Sequence, residues 1–406
     1  MSEREEDILI ESLNSADEET RRQAIELLGE LRLKKAVPKI AELVNSENWR
    51  IRKSIVEAYK KIDDDSCLPL LQKLIKDSNV EVHSTAIDAM VYYGDRAIPY
   101  LLPLLKDDDE DARILSANVL GFMRSAKGVK SLIERLKVED SMNVRYAIIE
   151  ALGYIGNEEA IDYLLELLEK EDMYLKIVII EALGKIGSLR ACVVIMSLLE
   201  DELLRSVCID ALGNIGAEIS INTIIEYFNS DDDTNVRVVI AIGKIYSKHI
   251  NNQSYAVLIK EICKQFFKKK ERYDKLLELL KNDNIELRNS VLLILSWIDE
   301  LKLTKELMEL LANEDYTEKI KDLFIRLGDR VLDDLYNEIN KTDNYEIRKA
   351  IIQIIGLIGN SREIELLMKM LDNENERGYY DVIISSLGWL QAECSVEKLE
   401  KLLNEE

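Results

Sequence analysis

VRYAIIEALGYIG (144–156) returns as LKIVIIEALGKIG (175–187), as LRSVCIDALGNIG (204–216) and as IRKAIIQIIGLIG (347–359). The second residue of each copy is a marker that can be followed along the chain. From Arg52 it runs through His83, Arg113, Arg145 and Lys176 to Arg205, with gaps of 31, 30, 32, 31 and 29 residues. It extends back to Arg21 and on to Arg237, then, after a 51-residue gap, to Arg288 and Arg348. A fixed period in this range builds a solenoid, in which each unit covers the apolar face of its neighbour.

Relative to the marker, apolar residues fall at +3, +4, +7 and +10: Ile148, Ile149, Leu152 and Ile155, then Ile179, Ile180, Leu183 and Ile186. This is helical spacing with one buried stripe. Position +6 is small (Ala151, Ala182, Ala211). Position +8 is glycine at 121, 153, 184, 213, 356 and 388. Glycine inside a helix costs about 1 kcal/mol against alanine, so its recurrence predicts close helix contact where a Cβ would clash. A second glycine at +11 (Gly156, Gly187, Gly216, Gly359) is placed to end the helix. A shorter amphipathic stretch follows each pair of glycines, for example 158–172 and 189–202. Each unit therefore reads as two antiparallel helices, A and then B. Asp172, Asp201 and Asn344 stand where N-caps of B helices belong.

The period predicts an all-α fold of about twelve helix pairs. Their B helices lie near 17–32, 49–62, 79–94, 109–124, 141–156, 172–187, 201–216, 233–247, 284–299, 315–328, 344–359 and 375–391. The tenth unit is degenerate, with Ile320 at the marker, and the twelfth carries Tyr380 there. Residues 1–247 hold repeats 1–8, and 282–406 hold repeats 9–12 with a capping helix over 395–404. Between them, 248–281 reads as a basic insertion, a lengthened A helix or an extra one. It has nine Lys/Arg against four Asp/Glu in a chain of net charge −23.

The pattern resembles HEAT repeats, in particular the short kind of the phycobilisome-lyase type. The resemblance rests on Val144-Arg145, Leu204-Arg205 and Ile347-Arg348 at the start of helix B, on Ala151-Leu152-Gly153 and on the closing Ile155-Gly156. It implies a right-handed α-α superhelix with helix B on the concave face. It also implies that Arg52, Arg113, Arg145, Arg205, Arg237, Arg288 and Arg348 form a structural ladder against acidic turn residues.

Catalytic chemistry finds little support. His83 and His249 are the two histidines, and neither adjoins a glutamate, unlike the His-Glu pairs of deoxyhypusine hydroxylase, a HEAT-repeat enzyme. There is no zinc-type Cys/His spacing and no phosphate-binding glycine loop. Asp63–Asp65, Asp107–Asp109 and Asp231–Asp233 lack the spacing and glycine of a calcium loop and read as caps and turns. No catalytic residue, metal or cofactor is assigned.

Cys67, Cys192, Cys208, Cys263 and Cys394 form no CxxC and no disulfide framework. Together with an acidic start (MSEREEDILIESL) lacking the apolar core of a signal peptide, they point to the cytoplasm. No apolar run is long enough to span a membrane. The acidic balance argues against a nucleic-acid partner and for a basic or amphipathic protein segment.

With +3, +4, +7 and +10 buried, positions +1, +5 and +9 face outward on helix B. Position +5 reads Glu26, Glu57, Asp88, Asn118, Glu150, Glu181 and Asp210. Position +9 reads Tyr92, Phe122 and Tyr154 in three successive units, with Ile114 and Tyr146 at +1 beside them. Trp297 and Trp389 take +9 farther on. The sequence thus predicts an aromatic groove edged by carboxylates, suited to a cationic peptide or helix. Phe266, Phe267, Lys268, Lys269 and Lys270 form a possible second docking segment. A protein-binding scaffold or adaptor is the leading expectation. A tetrapyrrole-binding, lyase-like modification protein and a regulatory signalling subunit are the alternatives.

Overall fold

The computed structural model describes residues 3–298 and 305–390. The expected helix at 395–404 and Cys394 lie outside them. Every regular element among the described residues is an α- or 3-10 helix. The chain divides into two compact units, Met1–Ala217 and Glu218–Glu406.

In the first unit seven A–B pairs follow one another. Their B helices are Glu18–Glu30, Trp49–Ile62, Val80–Tyr93, Glu110–Met123, Met142–Ile155, Met173–Ile186 and Glu202–Ile215. In the second unit they are Asp232–His249, Ile285–Leu295, Glu314–Leu327, Tyr345–Ile358 and Tyr380–Trp389. Ten of them match the expected bounds within two residues; the ninth ends at Leu295, short of 299, and the twelfth begins at Tyr380 and not near 375. A 3-10 turn joins most B helices to the next A helix, which keeps the connections short.

Local sequence starts and stops these helices. Asp172 accepts a hydrogen bond from the Leu175 N–H, Asp201 from Leu203 and Asn344 from Glu346. Asp17, Asn48, Asn79, Asp109, Ser141, Asp231, Asn284 and Asn313 cap in the same way. Replacing Asp172 with alanine leaves first-turn N–H groups to water, and about 1 kcal/mol of stability should be lost. A chemical-denaturation curve of the variant measures this.

The glycines do two jobs. A Cβ on Gly121 would lie 2.9 Å from the Cα of Ala151; on Gly153, 2.9 Å from that of Ala182; on Gly184, 2.8 Å from that of Ala211. Glycine +8 of one repeat therefore seats on alanine +6 of the next, and successive B helices pack at their backbones. At +11, Gly156, Gly187 and Gly216 end their helices with φ of 71°, 77° and 77°. Gly359 departs from this expectation, with φ −74° and ψ 177°. The next helix starts almost at once, capped by Asn360, so the chain stays extended there.

Ile148, Ile149, Leu152, Ile179, Ile180 and Leu183 are buried, whereas Ile155 and Ile186 at +10 are only half-buried. The segment 248–281 forms two helices, Gln253–Phe267 and Lys270–Glu278, where other repeats have one A helix. The insertion is thus an extra helix, and it belongs to the second unit. No described helix is long and apolar enough to cross a membrane.

Candidate partner-binding site

The marker arginines are held within the fold. Arg52 donates to both carboxylate oxygens of Asp77 and to the carbonyls of Ser46 and Glu47. Arg113 donates to Glu139 and to the carbonyls of Asp107 and Asp108. Arg145 pairs with Glu171, and Arg348 with Glu376 and the Ile339 carbonyl. Each of these four joins its repeat to an acid in the next turn. Arg205 donates to the carbonyls of Leu199 and Glu200, and Arg288 to that of Leu280 and to Asp283.

Arg237 pairs with Asp233 on its own helix. Other residues meet the same turn carbonyls where arginine is missing. His83 Nδ1 contacts the Ile75 carbonyl at 2.6 Å, and Tyr380 donates to the Leu371 carbonyl at 3.1 Å. The aspartate triplets are engaged in capping and ion pairs, as with Asp64 at Ser66, Asp63 at Arg96 and Asp107 at Lys76.

The outward face of the B helices is different. Tyr92 is 53% exposed, Phe122 52% and Tyr154 36%. Phe122 and Tyr154, on adjacent B helices, lie 6.1 Å apart between ring centroids, while Tyr146 is half-buried. Glu57 and Glu150 are partly exposed; Asp88 and Glu181 are exposed. No ion pair engages Glu57, Asp88 or Glu181 among the described residues, whereas Glu150 accepts from the Tyr154 hydroxyl at 3.2 Å. Asp210 is partly exposed one repeat farther on.

The structure brings Phe122, Tyr146, Tyr154, Glu150 and Glu181 of the fourth to sixth B helices together, while Tyr92, Glu57, Asp88 and Asp210 hold the corresponding positions on their own B helices. Two internal lysines sit over these rings: Lys60 5.5 Å from the Tyr92 centroid and Lys185 4.2 Å from that of Tyr154.

The sequence reading missed Tyr174, which is 59% exposed and stacks on Tyr146 at 6.0 Å. It also missed the exposed Met142 and Met173. These occupy positions −2 and −3, one turn before +1, and the same helical spacing would have found them.

Two expectations are corrected. Trp297 is only 8% exposed, because its helix stops at Leu295 and the ring packs on Tyr246 at 4.8 Å. Phe267 is fully buried against Phe228, so it belongs to the core and not to a docking segment. Phe266 is half-buried with Arg272 3.6 Å from its ring centroid; Lys268, Lys269 and Lys270 are exposed.

Cys67, Cys192, Cys208 and Cys263 are buried thiols. Burial pushes Cys67 up to about 11, and Cys208 and Cys263 up to about 12, so all three are protonated at neutral pH. No group of three or more potential metal ligands occurs among the described residues.

A family model described as HEAT repeats matches residues 6–82, 68–142 and 129–203. No curated protein matches the chain in sequence. Among solved structures, the chain is similar to one from a Kap95:Nup1 complex, at TM-score 0.58 and 14% identity, over 98% of this chain and 63% of that one. It is also similar to one from the complex of Kap95p with RanGDP, at TM-score 0.52 and 13% identity, over 98% and 68%. A match to the CpcE and CpcF phycocyanin lyase of Nostoc sp. PCC7120 has 20% identity over 63% and 92%, but a TM-score of 0.33, too low to carry an argument. At these identities the likeness concerns the fold, and this chain spans about two thirds of the Kap95 chains.

Proposed function

We propose that this chain, a HEAT-repeat protein, is a non-catalytic scaffold or adaptor that binds a protein partner along the outward face of B helices 2–7. The observation that carries the reading is the alignment of Tyr92, Phe122 and Tyr154 in three successive repeats. They are exposed on the face that also carries Glu57, Asp88 and Glu181, which no ion pair engages among the described residues. Elsewhere in these repeats, recurrent side chains cap helices, fill the core or tie turns together. These three do none of that, and fold stability gives no reason to expose three aromatic rings in register.

Aromatic anchors surrounded by charge suit a peptide or helix, with the apolar contacts giving affinity and the charges selectivity. The free carboxylates favour a segment bearing Lys or Arg. The Kap95 structures similar in fold are complexes with proteins, RanGDP and Nup1, which accords with this use of the fold.

The test is an affinity pull-down from native lysate with two baits, the parent and a Tyr92→Ala, Phe122→Ala, Tyr154→Ala variant, compared by mass spectrometry. The variant should melt like the parent, because the three rings are on the surface. Its affinity for a groove partner should fall by about 2 kcal/mol or more. Equal capture by both baits would overturn the groove.

A further inference from the structure

We propose that the fifth and sixth B helices form a subsite for one arginine side chain of the partner, built from Tyr146, Tyr174, Glu150 and Glu181 and guarded by Lys185. The inference rests on the groove reading above and specifies the chemistry of its occupant.

Two helices supply two parallel columns. On Met142–Ile155, Tyr146, Glu150 and Tyr154 are spaced by four residues, and on Met173–Ile186 so are Ile177, Glu181 and Lys185. Side chains four apart stack on one helix face. At one end Tyr146 and Tyr174 stack at 6.0 Å with 28° between planes, bridging the two helices. At the other end Lys185 Nζ lies 4.2 Å from the Tyr154 centroid and 3.7 Å from Glu150 Oε1. The two carboxylates lie between these ends.

Burial, and then the negative fields of Glu150 and Glu181, push the Tyr146 hydroxyl above its ordinary pKa, so both charges bear on the same ring. The free chain thus already seats a cation against an aromatic ring and a carboxylate. It leaves Glu181, one turn away, without a cation among the described residues.

The rings and carboxylates favour guanidinium over ammonium. A planar cation can stack on tyrosine and present paired N–H donors to carboxylates, whereas an ammonium is a compact, strongly hydrated charge. Lys185 competes for the same groups. Removing it should therefore strengthen binding of the guest, although it removes a positive charge from a contact the chain makes with itself.

Fluorescein-labelled nona-arginine and nona-lysine peptides are titrated into the full chain and followed by anisotropy. Nona-arginine should bind more tightly than nona-lysine. Lys185→Met should tighten nona-arginine about threefold, the scale of one exposed ion pair. Glu181→Gln and Tyr174→Ala should each weaken it about threefold or more, and Tyr174→Phe should retain it. Glu166→Gln, on the A helix Ile161–Lys170, should change nothing.

Unchanged or weaker binding in Lys185→Met, or equal effects of Glu181→Gln and Glu166→Gln, would overturn the subsite. Equal binding of both peptides would overturn the choice of arginine. Loss of the pull-down partner in the triple-alanine variant but not in Tyr174→Ala and Glu181→Gln would retain the groove and reject the subsite. Equal capture by every bait would reject both.

Discussion

Ile149→Asp should unfold the middle repeats of the first unit. Ile149 is fully buried at the +4 position of the helix Met142–Ile155. Its neighbours on the stripe, Ile148 and Leu152, are equally buried, and the next helix offers Ile179, Ile180 and Leu183. Losing the isoleucine side chain alone should cost about 2–5 kcal/mol. An aspartate there has no described cation in the stripe to pair with, so it must be protonated or draw water into the core, and either adds several kcal/mol.

The total, about 5 kcal/mol or more, is comparable to the whole stability of many domains. In a solenoid each repeat is supported only by its neighbours, so the damage should spread from the fifth repeat to the fourth and sixth. Circular dichroism should show a lower or earlier, broadened melt, and amide exchange should rise first across 110–187. Ile149→Val, which removes one methyl group, should cost only about 1 kcal/mol. If Ile149→Asp melts like the parent, the register of every repeat is wrong.

That register was legible because it is written redundantly. The N-cap, the buried stripe, glycine +8 and glycine +11 point to the same helix start and end, and the structure agrees closely at ten of the twelve B helices. Glycine +8 predicts a close approach; the alanine +6 that receives it stands out as a small residue with no evident partner. Only the contact of Gly153 with Ala182 joins the two signals.

The misreadings share a cause. Counting positions puts Trp297 on the outward face, but the helix before it ends at Leu295; Phe267, grouped with the basic run Lys268–Lys270, lies on an added helix. Where the repeat breaks, its phase no longer tells which way a side chain points. Tyr174 is the opposite case: helical spacing gives its outward position, but not its contact. The repeat is intact there, but Tyr174 meets Tyr146 across two helices, and a contact between neighbouring repeats is not written in either one alone.

Glu139→Ala should cost the fold more than any loss of a surface charge, and its effect should depend on pH in a defined direction. The Glu139 side chain is 1% exposed. It accepts from Arg113 of one repeat, from Arg135 four residues earlier, and from the N–H of Ser141, the N-cap of the next B helix, at 3.0 Å. One carboxylate thus ties two arginines and a helix start together. Burial raises its pKa, but the Ser141 N–H and the two guanidiniums outweigh burial and hold it below the ordinary glutamate range.

Removing one partner of a buried pair costs about 3–5 kcal/mol. Arg113 keeps the Asp107 and Asp108 carbonyls, so about 2–3 kcal/mol is expected here. Asp233→Ala, which removes one exposed i,i+4 pair with Arg237, should cost under about 1 kcal/mol.

A carboxylate with a depressed folded-state pKa stabilises the fold above its unfolded pKa, and the contribution fades as pH falls through the folded value. The stability gap between parent and Glu139→Ala should therefore be full at pH 7 and shrink below about pH 4. Denaturant titrations of both proteins at several pH values measure it. A gap that stays constant into acid would mean that Glu139 acts by filling space, and that charge does not bind the fourth repeat to the fifth.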